Sequence, residues 1–476
     1  MLFNSLDFAL FLPIVFILYW FVTQKDLKLQ NILLVLASYV FYGWWDWRFL
    51  SLIAFSSLVD YFIGLELAKT DQKNKRKILL YASLIVNIGF LGFFKYFNFF
   101  TQSFSDAFTF FGQDFEASRL NIILPVGISF YTFQTLSYTI DIYRKKLEPT
   151  RDPIAFFAFV SFFPQLVAGP IERATNLLPQ FFKKRKFKSE QAIDGLQQIL
   201  WGLFKKIVIA DNCAQYTNDI FANYEHYSSP TLILGVIYFS FQIYGDFSGY
   251  SDIAIGTSKL FGFKLMTNFR YPYFSRDIAE FWRRWHISLS TWFRDYLYIP
   301  LGGSRGSKWN ALRNTIIVFI VSGFWHGANW TFITWGAIHA IFFVPLLLLN
   351  RNRRYLGEVA ADRLFPRLGE FMNILITFAL VTLAWVFFRA ETIAQALDYF
   401  MHMFDLSLIP DRLEIKRYAF EILPLIFILF SFEWFSRQNE HPMQRGRVWV
   451  KTTLIIAMLL ALGNYSNMQE FIYFQF

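Results

Sequence analysis

Residues 316–349 read IIVFIVSGFWHGANWTFITWGAIHAIFFVPLLLL, a strongly apolar stretch that contains a histidine, His326, between two glycines. An imidazole inside a membrane segment must be desolvated and given a partner. An ionisable residue in such a place is therefore a functional-site hypothesis by default. His326 is the first candidate for a functional residue in this sequence.

The composition of the whole chain indicates a membrane protein. Of 476 residues, 55% are hydrophobic and only 17% are charged, whereas soluble domains carry about 25% charged residues. Several stretches approach the roughly 20 apolar residues that a helix needs to cross a bilayer. We therefore predict an all-α, polytopic integral membrane protein of about 11–12 transmembrane helices, forming a single domain over residues 1–476. The predicted spans are residues 8–22, 31–43, 49–68, 78–100, 120–143, 192–210, 231–250, 314–330, 331–349, 371–389, 418–435 and 448–463.

The charges of the loops predict the orientation in the membrane. Residues 69–77 hold five Lys or Arg against one Asp, and residues 183–188 form a nearly continuous basic run. Residues 211–229 hold three acidic residues and no Lys or Arg. By the positive-inside rule the basic loops are cytoplasmic. This topology accounts for the net charge of +10, so no nucleic-acid partner is predicted, and membrane lipid is the expected surrounding.

Two segments do not fit a simple series of crossings. Residues 154–169 are apolar but lie between two basic loops, which predicts a re-entrant or in-plane segment buried in protein. In the second case, two helices would meet at Trp330 without a loop. Gly323 and Gly327, on either side of His326, predict a broken or kinked helix, a feature found at substrate sites of membrane proteins.

Residues 259–313 are strongly basic, with ten Lys or Arg against three acidic residues. Within this region, residues 280–305 read EFWRRWHISLSTWFRDYLYIPLGGSR and alternate aromatic residues with arginines at roughly helical spacing. This pattern predicts a helix lying at the membrane interface. Its arginines either anchor the helix to lipid headgroups or form a basic entrance that attracts an anionic acyl donor. The candidate donor-binding arginines are Arg283, Arg284, Arg294 and Arg305.

Several long motifs resemble one family. They are FFPQLVAGPI (162–171), YGDFSGYSDIAIG (244–256), NFRYPY (268–273), the run 281–305, SGFWHGANW (322–330) and WVFFRA (385–390). The first residues, MLFNSLDFALFLP, and the last, FIYFQF, belong to the same set of motifs. These motifs resemble the membrane-bound O-acyltransferase family, and most of all its bacterial branch of alginate O-acetyltransferase membrane subunits.

The resemblance implies a bacterial inner-membrane enzyme whose helices surround a central tunnel, open to a cytoplasmic donor and to an extracytoplasmic acceptor. It also implies catalytic roles for His326, in the WHG context, and for His286, in RWHISLS. His339 is followed by Ala340 where relatives commonly have glycine. On a regular helix His339 is also rotated by about 220° from His326, so it is left out of the predicted site.

Transfer of an acyl group from a thioester to a hydroxyl requires a base that is neutral near pH 7, and imidazole meets this requirement. We predict His326 as this base, although an acyl-histidine intermediate on the same residue is an open alternative. Hydrogen-bond donors for the oxyanion are predicted from His286, Asn329 and the indole of Trp325. The single cysteine, Cys213, has no adjacent histidine cluster, so no metal site is predicted.

The predicted function is therefore transfer of an acyl group, most simply acetyl, across the membrane to an exported or cell-surface polysaccharide. The co-substrate would be acetyl-coenzyme A or an acyl carrier thioester, with no bound cofactor. An extracytoplasmic acetyltransferase of the SGNH type is the expected protein partner. The alternative is a polytopic transporter or flippase, for which broken helices are also typical. Asp246 and Asp252 are expected either to form a turn or to contact the donor.

Overall fold

The computed structural model describes residues 1–112, 120–167, 169–405, 407, 417–465 and 469–474. The regular structure in these ranges consists of α, π and 3-10 helices, without any strand. The predicted all-α fold class is therefore confirmed. The chain divides into two compact units, of which the first comprises Met1–Gly195 and Thr257–Met266 and the second comprises Leu196–Gly256 and Thr267–Phe476. A single domain over the whole chain stays a prediction.

The described residues of the first unit form nine complete α-helices and the beginning of a tenth. They are α1 (Leu6–Ile17), α2 (Leu27–Asp46), α3 (Leu50–Ala68), α4 (Lys73–Leu91), α5 (Phe97–Phe110), α6 (Ile128–Tyr143), α7 (Pro153–Ser161), α8 (Phe163–Leu166), α9 (Ala174–Leu177) and α10 (Ser189–Leu203). Hydrogen bonds between side chains connect α3, α4 and α6. The carboxylate of Asp60 accepts from Asn87 at 2.8 Å and from Thr139 at 3.0 Å. Such bonds satisfy polar groups that have no access to water.

The segment predicted to be re-entrant forms two short helices, α7 and α8, with a break at Phe162. Four of its five aromatic side chains, Phe156, Phe159, Phe162 and Phe163, are completely buried. This burial agrees with the prediction that the segment lies within protein. That it is re-entrant or in-plane stays a prediction, and each of the two helices is too short to cross a bilayer.

The second unit contains the remaining helices. They are α11 (Asp211–Ala222), α12 (Ser229–Leu260, whose end belongs to the first unit), α13 (Ile278–Arg284), α14 (Ile287–Phe293), α15 (Lys308–His326), α16 (Trp330–Leu348), α17 (Leu368–Arg389), α18 (Ile393–Phe404), α19 (Arg417–Phe435) and α20 (Val448–Leu462). Two π-helices, Phe204–Ala210 and Arg294–Tyr298, lie between them. Its core is rich in aromatic side chains, with Trp285 and Trp385 both fully buried.

In the part of the chain that the structure describes, four helical stretches are long and apolar enough to cross a membrane: Leu27–Ala68, Lys73–Phe110, Trp330–Leu348 and Leu368–Arg389. Shorter apolar helices are Leu6–Val22, Pro153–Leu166 and Val448–Leu462. A polytopic membrane protein is therefore confirmed, while the number of 11–12 crossings stays a prediction.

The predicted break at His326 is present. Helix α15 ends at His326, and α16 begins at Trp330. A β-carbon on Gly323 would collide with the carbonyl oxygen of Phe332, and one on Gly336 would collide with that of Phe319. Glycine is required at both positions because the two helices approach each other backbone to backbone. They form a tight antiparallel hairpin with His326 at its turn.

The prediction of one interfacial helix over residues 280–305 is wrong. The segment is divided into α13, α14 and the π-helix Arg294–Tyr298, with a sharp corner at His286, whose φ is +43°. A residue with positive φ ends a regular helix. The rings of Phe281, Trp285 and Phe293 are buried in the protein and do not lie among lipid headgroups.

Asp246 and Asp252 do not form a turn. Both lie inside α12, which continues without interruption to Leu260. Gly245 and Gly249 let α12 approach the π-helix Phe204–Ala210 and the end of α10, because a β-carbon at either position would be within 3 Å of a carbonyl oxygen. The YGDFSGYSD motif is thus a helix–helix contact surface carrying two inward carboxylates.

Candidate functional site

His326 occupies the last position of α15, in a cage of aromatic rings, and is 2% exposed. The centroid of its imidazole is 4.8 Å from that of Trp325, 5.1 Å from Trp335 and 5.5 Å from Phe388. The chain leaves the helix after this residue through Gly327, where a side chain would collide with the ring of Phe332. The helix break therefore places a fixed imidazole at the turn of the α15–α16 hairpin.

His286 lies at the corner between α13 and α14 and is completely buried. Its Nδ1 is 3.0 Å from Oδ1 of Asn268. The same oxygen accepts hydrogen bonds from the hydroxyl of Ser288 at 2.9 Å and from its backbone N–H at 3.4 Å. A backbone N–H can only donate, which identifies the atom of Asn268 as oxygen. Nδ1 of His286 must therefore carry the proton.

This tautomer leaves a lone pair on Nε2 of His286, which has no hydrogen-bond partner among the described residues. Burial lowers the pKa of His286 from 6.5 to about 3, and the residue lies outside the four spanning stretches. The imidazole is thus neutral at physiological pH and can accept a hydrogen bond through Nε2. In this tautomer it cannot donate to an oxyanion, so the structure contradicts the donor role that the sequence predicted.

The two predicted catalytic histidines come together. The ring centroids of His286 and His326 are 6.5 Å apart, and that of Trp325 is 6.0 Å from His286. The α13–α14 corner and the α15–α16 hairpin supply these side chains from separate parts of the second unit. Two buried imidazoles at this separation can contact one small reacting group between them.

Tyr473 is a member of the site that the sequence did not predict. Its ring centroid is 5.5 Å from that of His326 and 4.5 Å from that of Phe247. Its buried hydroxyl has no hydrogen-bond partner within the described part of the chain. The FIYFQF run resembles the family and so offers a signal that this segment is functional. The sequence does not predict its contact with His326, because the two lie far apart along the chain.

His339 lies closer to the site than the regular-helix geometry predicted. Its centroid is 4.8 Å from that of Trp335, which in turn contacts His326. The indole N–H of Trp282 donates to Nδ1 of His339 at 3.3 Å. The predicted rotation of 220° assumed one continuous helix, and the break after His326 removes that assumption.

A cavity of about 240 Å³ opens beside α15. Its walls are mostly apolar and include Trp282, Phe319 and Ser322, the last of which is one helical turn before His326. Arg294 and Arg353 also line it. The cavity thus combines apolar walls, close to the histidine pair along α15, with two cationic side chains.

The four predicted donor-binding arginines have different surroundings. Arg283 donates to the carbonyl oxygens of Asn352 at 2.8 Å and Tyr355 at 2.7 Å. Arg284 is buried between Glu280 and Glu358, at 2.9 and 2.7 Å. These two arginines therefore hold the chain beside the cavity.

Arg294 and Arg305 are more accessible. Arg294 lines the cavity and pairs with Asp295 at 2.7 Å, with over half of its side chain exposed. Arg305 is exposed in the loop that precedes α15. Both can contact an anion that approaches from solvent.

Asn329 caps α16. Among the described residues, its side-chain hydrogen bonds are made to Thr331 and Glu391 and not to the histidine pair. Its Oδ1 accepts from the backbone N–H of Thr331 at 3.0 Å, and its amide donates to the carbonyl of Glu391 at 2.8 Å. Capping thus occupies Oδ1, and the bond to Glu391 uses one of the two N–H groups of the amide. The oxyanion role of Asn329 stays a prediction.

Comparison with known proteins identifies relatives whose names describe transfer of acyl groups. Residues 144–356 match the model of the membrane-bound O-acyltransferase family. A probable alginate O-acetylase of Pseudomonas aeruginosa is 42% identical over 85% of this chain and 75% of its own length. A peptidoglycan O-acetyltransferase of Helicobacter pylori is 35% identical over 100% of this chain and 98% of its own. A teichoic acid D-alanyltransferase of Streptococcus thermophilus is 30% identical over 57% of the chain and 69% of its own.

The first two of these relatives cover 85% and 100% of the chain. The matched region also includes both histidines of the site. A membrane enzyme that transfers acyl groups accounts for these observations, whereas a transporter or flippase does not. The chain belongs to the membrane-bound O-acyltransferase family.

Proposed function

We propose that this acyltransferase moves an acetyl group from a cytoplasmic thioester to hydroxyl groups of an exported or cell-surface polysaccharide. The observation that carries the proposal is the pair of buried imidazoles, His326 and His286, with ring centroids 6.5 Å apart. The names of the relatives, an alginate O-acetylase and a peptidoglycan O-acetyltransferase, support acetyl as the group and a polysaccharide as the acceptor.

In the proposed reaction His326 acts as the general base. It takes the proton of the acceptor hydroxyl while the oxygen attacks the thioester carbonyl, so that a C–O bond forms. The C–S bond then breaks, and the imidazolium returns the proton to the leaving thiolate. The same residue could instead carry the acetyl group transiently as an acyl-imidazole. Both routes begin and end with a neutral His326.

The neighbouring groups have separate proposed roles. Nε2 of His286 accepts a hydrogen bond from a second hydroxyl of the acceptor and so orients the acceptor toward His326, in agreement with the tautomer that Asn268 imposes. The indole of Trp325 is the proposed donor to the developing oxyanion, since its ring lies beside both imidazoles. A donor aimed at developing charge in a site that excludes water stabilises the transition state.

The proposed donor is a thioester on a phosphopantetheine arm, which acetyl-coenzyme A and an acyl carrier protein have in common. The apolar walls of the 240 Å³ cavity suit the arm, and Arg294 and Arg353 suit its phosphate. Arg305 extends the positive charge beyond the cavity. Arg283 and Arg284 contribute indirectly, because they fix the segment that contains Asn352 and Arg353.

The proposed orientation places the basic loops in the cytoplasm of a bacterial inner membrane. This arrangement brings the basic region 259–313 to the side where thioester donors are made. The acceptor lies on the opposite side, and we propose an SGNH-type extracytoplasmic acetyltransferase as the protein that completes the transfer. Neither a metal ion nor a bound cofactor takes part in the proposed reaction.

The proposal is tested by NMR of polysaccharide purified from cells that carry wild-type protein or His326→Ala. We expect the O-acetyl signals to be lost in His326→Ala and kept in the control His226→Ala, which removes an exposed histidine. Retained acetylation at equal protein level would contradict the role of His326. Purified protein supplied with labelled acetyl-coenzyme A or acetylated carrier protein, in separate reactions, distinguishes the two donors.

A further inference from the structure

Residues 469–474, here called the strap, lie directly against the histidine pair. Tyr473 contacts His326, with ring centroids 5.5 Å apart. Phe471 is completely buried and packs on Tyr250 at 4.6 Å. Aromatic packing therefore seats the strap along α12, with one of its side chains in the site.

Charged side chains hold the backbone of the strap at two points. Nζ of Lys206 donates to the carbonyl oxygen of Gln469 at 2.9 Å. The carboxylate of Asp246 accepts from the backbone N–H of Ile472 at 2.6 Å. Lys206 and Asp246 also pair with each other at 2.9 Å, and Lys206 pairs with Asp211 at 2.7 Å. One ion-pair network thus binds both the beginning and the middle of the strap.

This network is deeply buried, since the side chains of Lys206 and Asp211 are 1% exposed and that of Asp246 is 4% exposed. Buried ion pairs are poor contributors to stability, because desolvation offsets their attraction. Removing one partner is nevertheless costly, since the other charge is then left unpaired. A hydrophobic contact would have sufficed to pack α12 against the π-helix Phe204–Ala210. The charges instead satisfy two backbone groups of the strap.

The adjacent Lys205 provides an internal comparison. It is equally buried, on the same π-helix, and pairs with Asp252 at 2.6 Å and Ser248 at 2.8 Å. Its hydrogen bonds and ion pairs end on α12, whereas those of Lys206 continue to the strap. Widened π-turns occur frequently at functional sites, and here the turn directs two consecutive lysines inward.

We propose that Lys206 and Asp246 are positioning residues that hold the strap so that Tyr473 stays against His326. The docking of the strap stands on the contacts alone. Its consequence for acetyl transfer rests on the proposed function. Loss of either side chain releases a backbone group of the strap and lets Tyr473 move away from the imidazole.

The docking is tested with Ile472→Cys as a reporter thiol in a Cys213→Ala background. Ile472 is 2% exposed, so a maleimide should react slowly with the thiol while the strap is docked. We expect Lys206→Met to raise the labelling rate by about tenfold or more, as loss of a hydrogen bond to a charged group implies. The control combines Lys205→Met with Asp252→Asn, which removes both charges of the neighbouring pair and leaves no unpaired buried charge. This double variant should leave the rate within about twofold of the parent. Equal protection in Lys206→Met, or an equal rise in the double variant, would overturn the proposal.

A second series keeps the test valid if Lys206→Met does not fold. Asp246→Asn retains an acceptor for the N–H of Ile472 and loses the charge, whereas Asp246→Ala loses both. The labelling rate should therefore increase from Asp to Asn to Ala. Equal rates in the three proteins would contradict a role of Asp246 in holding the strap.

Acetyl transfer by the same variants tests the consequence of docking separately. We expect kcat to fall in Lys206→Met with the donor KM unchanged, since Tyr473 of the strap contacts His326 and the cavity is lined by other residues. Increased labelling with unchanged kcat would show that the strap does not position the site. Acetyl transfer retained in His326→Ala would instead contradict the proposed function, while leaving the labelling result intact.

Discussion

The imidazole of His326 stands perpendicular to the indole of Trp335, with centroids 5.1 Å apart and an angle of 90° between the rings. Trp335 also contacts the imidazole of His339, at 4.8 Å. Trp335 also stacks on Trp385 at 5.4 Å. The orientation of the proposed base is therefore set by a wall of packed rings, which link it to His339 and, beyond it, to the cavity residue Trp282.

Replacement of His339 should weaken binding of the donor. His339→Phe keeps an aromatic ring but leaves the indole N–H of Trp282 without its acceptor, so Trp282 can move in the cavity wall. Loss of one hydrogen bond of about 1 kcal/mol corresponds to a rise of roughly fivefold in the donor KM. We expect kcat to change little. Steady-state kinetics with varied thioester checks this, with His339→Gln, which retains an acceptor, as the matched control. A fall in kcat at constant KM would show that His339 acts in the chemical step.

Asn268→Asp should introduce a pH dependence through His286 that His286 does not confer on the wild-type enzyme. A carboxylate beside Nδ1 favours the imidazolium form and raises the pKa of His286. Protonated Nε2 cannot accept the hydrogen bond from the second hydroxyl of the acceptor. We therefore expect the variant to lose activity as the pH falls from about 8 to about 6. In the wild type the pKa of His286 is about 3, so His286 should cause no inflection in the pH profile of activity between about pH 6 and 8. Parallel pH profiles of the two proteins would contradict the acceptor role of Nε2.

Much of the fold and the core of the site could be predicted from the sequence. The apolar composition gave the all-helical membrane class, and Gly323 and Gly327 located the helix break at His326. His286 was found through its motif. In each case the deciding information is local, because apolarity and glycine spacing act within one segment of the chain.

The remaining features depend on long-range contacts. No periodicity reveals that Tyr473 lies on His326, or that Lys206 binds the backbone at Gln469. The positive φ of His286 depends on its pairing with Asn268, so residues 280–305 were wrongly predicted as one helix. His339 was excluded by assuming regular geometry across a break that had itself been predicted.

Acid should destabilise the protein partly through His286. Burial lowers its pKa from 6.5, the ordinary value of the unfolded chain, to about 3 in the folded state. Below pH 6.5 the unfolded state therefore binds a proton that the folded state does not, and the free energy of unfolding decreases as the pH falls toward 3. We expect the Tm of His286→Gln, which cannot titrate, to fall less than the Tm of the wild type over this range. Thermal unfolding in detergent checks the difference, and equal slopes of Tm against pH would contradict burial of a neutral His286.

The cavity arginines should bind the donor by charge. Arg294→Ala combined with Arg353→Ala should raise the KM for acetyl-coenzyme A, and the difference from wild type should shrink at high ionic strength, because salt screens exposed charges. Arg367→Ala, which removes a basic residue outside the cavity lining, is the control. A salt-independent difference would indicate that the arginines shape the cavity wall and do not attract the phosphate.

Tyr473→Phe isolates the contribution of one hydroxyl. The substitution keeps the ring that packs on Phe247 and His326, so the strap should stay docked and labelling of the Ile472→Cys reporter should be unchanged. A buried hydroxyl without a partner in the described chain is unfavourable, which is consistent with a hydrogen bond formed only when substrate is present. Loss of such a bond should reduce kcat by about tenfold or more. Tyr465→Phe, which removes a hydroxyl bonded to the carbonyl of Leu459, should leave kcat near wild type. Full activity of Tyr473→Phe would mean that the ring alone closes the site around His326.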